Sequence, residues 1–157
     1  SLGADVNLAF TKTIQLKGEI WQGKNLDDYV GGIGQGVVVT TTGSGTYINA
    51  MAAGATGFVD AKALKSKGGW AELTFGPFQK WRYNLGVSLD NPDDDLLINS
   101  TTARPMRTSN RSRWLNALYD LNEAVQIGAE YLRLETEYKN QRRGDDNRFQ
   151  LSFIYKF

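Results

Sequence analysis

Asn147–Phe157, NRFQLSFIYKF, sets Phe149, Leu151, Phe153, Tyr155 and Phe157 on one side of an extended chain. Arg148, Gln150, Ser152, Ile154 and Lys156 fall on the other, because successive side chains of a strand point to opposite faces. Four of the five positions on the first side are aromatic. A period of two held over this length marks a two-faced strand. In a soluble sandwich such a face would be core.

The same rhythm recurs upstream. Leu2, Ala4, Val6, Leu8 and Phe10 alternate with Gly3, Asp5, Asn7 and Ala9; after a turn at Thr11–Thr13, Ile14, Leu16, Gly18 and Ile20 alternate with Gln15, Lys17, Glu19 and Trp21. A third strand is expected from about Thr56 to Phe75, with a break at Gly68 and Gly69. It places Ala71, Leu73 and Phe75 opposite Trp70, Glu72 and Thr74. Gly76–Lys80 reads as a tight connection, since Pro77 fixes its own φ and cannot donate to a ladder. Beyond it Trp81, Tyr83, Leu85, Val87 and Leu89 alternate with Arg82, Asn84, Gly86, Ser88 and Asp90. Two further strands follow, about Arg113–Asp120 and Ala124–Tyr138. In the second the alternation falters at Leu132, Arg133 and Leu134, which calls for a bulge or for a strand leaving its apolar layer.

Composition narrows the functions this chain can serve. Its 157 residues suffice for one unit, with 41% hydrophobic residues, 17 glycines and only three prolines, a profile of strands and turns rather than of disorder. Eighteen basic against 17 acidic residues make no electrostatic case for nucleic acid. The absence of cysteine and histidine removes disulfides, thiolate sites, Ser-His-Asp hydrolysis and most zinc chemistry. No enzyme and no cofactor is expected from these residues. The longest uncharged stretch, Tyr29–Phe58, is rich in glycine and threonine and lacks the apolarity of a spanning helix. A membrane, if there is one, must be crossed by strands. Ser1–Phe10 has no basic start followed by an apolar run, so a mature or truncated chain is expected.

The terminal phenylalanine adds a resemblance. NRFQLSFIYKF resembles the C-terminal strand of bacterial outer-membrane proteins, in which a final aromatic residue closes an alternating strand read by the barrel-assembly machinery. The resemblance implies an outer-membrane location, lipid and that machinery as partners, and Phe149, Leu151, Phe153, Tyr155 and Phe157 as the assembly signal. It also leaves room for a homo-oligomer, a trimer among them. Loop lengths agree: connections near 11–13, 76–80 and 120–123 are short, those near 22–55, 91–111 and 139–146 are longer, the asymmetry of short periplasmic turns and long external loops. Phe10, Phe75, Phe78, Trp81, Tyr83, Tyr119, Tyr155 and Phe157 crowd the short-turn end, as an interfacial girdle would.

The expected fold is therefore an all-β, antiparallel up-and-down transmembrane barrel, with about seven strands here. Bacterial barrels have even strand numbers, so this chain is expected to be the C-terminal portion of a larger one, the alternative being that several chains complete a barrel together. The face opposite the apolar one carries Lys17, Glu19, Arg82, Asn84, Glu130, Arg148, Gln150 and Lys156, the candidate pore-lining residues. Packed solid, such charges would be costly; a hydrated lumen removes the cost. The expected function is a porin or channel for passive diffusion of small solutes or ions. The alternative is a structural or adhesive anchor without a conducting pore. The low-charge loop Gln22–Ala55, with a β-prone Gly36–Thr42 and a helical turn over Tyr47–Ala53, is the candidate for narrowing the pore or for packing against a neighbouring subunit. Arg104, Arg107 and Arg111 can attract anionic solutes or outer-leaflet lipid phosphate or be neutralised by Asp93–Asp95, which lack the ligand spacing of a calcium loop.

Overall fold

The computed structural model describes residues 1–27, 32–41, 45–48, 58–97 and 106–157. Among the described residues there are ten strands: β1 (Leu2–Ala9), β2 (Ile14–Lys24), β3 (Val37–Thr41), β4 (Gly45–Ile48), β5 (Phe58–Ala63), β6 (Lys65–Phe78), β7 (Trp81–Pro92), β8 (Arg107–Asp120), β9 (Val125–Tyr138) and β10 (Gly144–Tyr155). Seven form one sheet in the order β1-β2-β6-β7-β8-β9-β10, and β4-β3-β5 form a second. Every neighbouring pair is antiparallel. The large sheet is thus an up-and-down meander, interrupted once by the excursion through β3–β5.

Local chemistry sets its turns. Thr11 accepts the Thr13 amide at 3.1 Å, and Asn122 accepts the amides of Ala124 and Val125 at 2.9 Å each, side chains substituting for backbone partners in a tight reversal. Between β6 and β7 the turn is shorter than expected. The strand continues past Pro77 through a register shift between Phe75 and Phe78, so that Phe78 pairs with Trp81 and Gln79, at φ 57°, makes the corner.

Register gives the sheet two unlike faces. One row across all seven strands reads Leu8, Leu16, Leu73, Leu85, Leu115, Tyr131, Phe149. Leu151, Ile127, Phe153 and Val87 share that face and stand exposed with Leu8, Leu85, Leu115 and Phe149, while Leu16, Leu73 and Tyr131 are half-buried. Trp81 stacks with Tyr83 and tilts against Tyr119 at 4.7 Å, which gathers aromatic rings at the short-turn end.

Several expectations are corrected. The third long strand begins at Lys65 rather than near Thr56, and Phe58–Ala63 belongs to the second sheet. It does not break at Gly68 and Gly69. A Cβ on Gly69 would lie 2.6 Å from the Glu19 carbonyl oxygen, and one on Gly68 would lie 2.6 Å from that of Leu89 and from the Trp21 ring; the glycines permit close strand approach instead of ending pairing. β8 starts at Arg107, earlier than Arg113, because Ser109–Ser112 pair although they are polar. No register shift occurs at Leu132–Leu134, so no bulge forms there. Tyr47 and Ile48 are extended in β4 rather than helical; residues 49–53 lie outside the described ones.

The sheet is not closed into a barrel: β1 and β10 are its edges. The reason is geometric. In an antiparallel meander of seven strands the two edges run in the same direction, and they cannot complete an antiparallel ring.

Candidate functional site

The polar face is ordered by the register of the sheet. Its central row runs Ala9, Gln15, Thr74, Asn84, Asn116, Glu130, Gln150, with Asn7 on the diagonal from Gln15. Gln15 donates to Asn7 at 2.6 Å, Thr74 to Asn84 at 2.8 Å, Asn84 to Asn116 at 2.6 Å and Asn116 to Glu130 at 3.4 Å. Amides carry both donors and an acceptor, so a row of them can pass hydrogen bonds from strand to strand. Asn84, at its middle, is buried.

A second row is bridged by indoles. The Trp114 ring lies across Gly86 and its Nε1 donates to Glu72 Oε2 at 2.8 Å, reaching over β7 to β6. Only a residue without a side chain leaves room for that span. Beside it Trp70 Nε1 donates to Glu19 Oε2 at 3.2 Å, and Ser88 and Ser112 share a hydrogen bond of 2.6 Å.

All eight candidate pore-lining residues fall on this face. Lys17 stands in register with Glu72, Arg82 with Leu118, Arg148 with Leu132 and Gln150 with Glu130. Lys17, Arg82 and Asn84 line one depression of about 540 Å³ at the short-turn end, together with Gln15, Glu72 and Thr74. Lys156 is drawn to Asp120 Oδ1 at 3.0 Å and sits at the lower rim. Glu72, Thr74 and Trp114 are not among the candidates read from sequence, since their partners become visible only through the register.

At the opposite end the excursion folds back. Asp90 on the polar face accepts the Ile33 amide and the Ser66 hydroxyl, each at 2.8 Å. Gln35 clasps the Arg107 backbone, donating to its carbonyl at 2.7 Å and accepting its amide at 2.8 Å. Val38, Leu64, Leu97 and Met106 form a small core beneath. The low-charge loop is therefore fastened at the long-loop end of the polar face, as far as its described residues show.

The charged loop resolves differently from a self-neutralising pair. Asp93 caps a short 3-10 turn, Asp94–Leu96, accepting the Asp95 amide at 3.1 Å, and the Asp94 carbonyl accepts from Lys139 at 2.9 Å. Arg111 pairs with Glu137 at 3.7 Å, while Arg104 lies outside the described residues. Among the described residues no group of three or more acidic side chains could hold a metal ion.

The expected assembly signal occupies the exposed edge strand β10. Phe149 packs on Tyr131 at 4.9 Å between ring centres, and Phe157 stacks on Tyr155 at 6.5 Å. Comparison with protein families, with curated proteins and with solved structures finds no match for this chain.

Proposed function

We propose that this chain is the C-terminal part of an outer-membrane β-barrel of the porin-like kind, and that its polar face lines a water-filled path for passive diffusion of small solutes or ions. One observation carries the reading. Among the described residues the buried apolar side chains are Leu26, Val38, Val39, Leu64, Leu97, Met106 and Pro92, and of these only Pro92, the last residue of β7, belongs to the seven-stranded sheet. A soluble sheet buries its apolar face; this one leaves leucine, valine and phenylalanine exposed and turns its hydrogen-bonded amides, with Lys17, Glu72, Arg82 and Glu130, to the other side. Soluble monomers rarely expose a contiguous apolar patch above about 600 Å², whereas barrels in lipid carry apolar side chains outward and polar ones inward. Glu72, Glu130, Arg82 and Arg148 on that inner side suit a hydrated lumen better than a dry one.

A second reading has its own support. The β3–β5 sheet clasped to Asp90 and Arg107 can occlude the lumen, which would leave an anchor presenting external loops. Planar-bilayer recording of the full-length protein separates the two: steady ohmic steps are expected from the pore, and electrical silence of a correctly folded barrel overturns it in favour of the anchor.

A further inference from the structure

The apolar face is not smooth. In its half remote from the short turns, Gly69 and Ala71 leave a groove of about 380 Å³ beside Ile20, Val87 and Leu89, and Arg111 and Arg113 line its far side. Those arginines belong to the face that carries Leu85 and Leu115, not to the polar one. Register sets Arg113 between Val87 and Arg133, and Arg111 between Leu89 and Glu135.

The charges there do not close among themselves. Arg133 pairs with Glu135 at 2.9 Å, Arg111 with Glu137 at 3.7 Å, and Arg143 reaches Glu135 at 3.9 Å and Asp145 at 2.9 Å. Arg113 has no ion pair among the described residues, and it stands directly opposite Arg133, an arrangement that like charges disfavour. An uncompensated guanidinium beside a lipid-facing leucine costs free energy that a bound anion would recover. A guanidinium fork matches phosphate oxygens two at a time.

We propose that this groove seats an acyl chain of an anionic, phosphorylated lipid, with Arg113 holding its phosphate and Arg111 and Arg133 flanking it. The inference rests on the membrane reading of the apolar face. Gly69 and Ala71 supply the room for a chain, and the arginines stand where the chain would end in its headgroup. The shape and the charge thus call for one amphiphile rather than for free phosphate.

The chain has no cysteine, so L85C and L151C each accept a single environment-sensitive fluorophore, one beside the groove and one on the same face far from the arginines. The full-length protein is placed in vesicles containing either brominated phosphatidic acid or brominated phosphatidylcholine. At position 85 phosphatidic acid is expected to quench with about tenfold higher relative affinity, the size of one charge-assisted hydrogen bond. At position 151 the two lipids should quench alike. R113Q, which removes the charge, and A71L, which fills the groove, should each abolish the preference, so one suffices if the other does not fold. A preference that survives these changes, equal quenching by both lipids at position 85, or quenching at 151 alone because a second copy covers the groove, overturns the lipid site and leaves the membrane reading intact. No quenching at either position by either lipid overturns the membrane reading itself.

Discussion

Single side chains in this sheet have consequences out of proportion to their size when they sit in a shared row. Asn84 is the clearest case: it accepts from Thr74, donates to Asn116, and is buried between them. Leucine at this position would orphan a hydroxyl on one side and an amide on the other. The expected loss is about 1–3 kcal/mol, read from urea unfolding of the protein in lipid vesicles; unchanged stability would mean that water replaces both partners. On the opposite face Leu85 stands in the all-apolar row between Leu73 and Leu115. Leu85→Arg should cost about 2–4 kcal/mol if that row lies near the bilayer midplane. The same titration in vesicles measures it, and an arginine tolerated without loss would remove this face from the lipid.

At the scale of the element, alternation made most strands legible and left their partners hidden. NRFQLSFIYKF declares its two faces by itself, and so does Trp81–Asp90, because one side is apolar and the other polar. The span 107–112 could not be read that way: Arg107, Thr108, Ser109, Asn110, Arg111 and Ser112 are polar throughout, and they are strand because β7 and β9 supply the ladder. Gly68 and Gly69 misled for the reverse reason, since glycine in a strand can mean a break or a close approach and only the neighbouring strand decides. The site was half legible. Parity placed the eight candidate residues on one face, but Trp114 bonding Glu72 across Gly86 depends on register over three strands. Gly86→Val should eject the Trp114 ring and break its hydrogen bond to Glu72, which a red-shifted indole emission would report, while a parental spectrum would show that the indole finds another route. β10 gives a second test at this scale. Phe157 is fully exposed, and among the rings of the described residues it meets only Tyr155, so little of the fold rests on it. If it is the proposed assembly signal, its deletion is expected to slow assembly in cells far more than it lowers the stability of the folded protein. Equal losses in the two assays would assign it to packing.

For the whole molecule the decisive property is the field on the polar face. Lys17, Arg82 and Asn84 share one depression, Arg148 stands on the edge strand opposite Leu132, and Lys156 is already engaged by Asp120. Among these cations Lys17, Arg82 and Arg148 have no ion pair among the described residues, so their charge is the part most available to a passing ion. Glu130 is tied to Asn116 and Glu72 to Trp114, bonds that hold both carboxylates in place and leave their negative charge to offset part of that field. In a lumen walled by low-dielectric material each of these charges acts more strongly than on an open surface. If the polar face lines a pore as proposed, Arg82→Glu and Arg148→Glu should each shift ion selectivity toward cations while the protein still folds. The shift should be largest in dilute salt and should shrink as the screening length falls to about 3 Å near 1 M. Reversal potentials across a salt gradient measure it, and circular dichroism checks the fold. If both variants keep the parent's selectivity at low salt, these arginines do not line a conducting path, and the sheet clasped over Asp90 becomes the better guide to what the protein does.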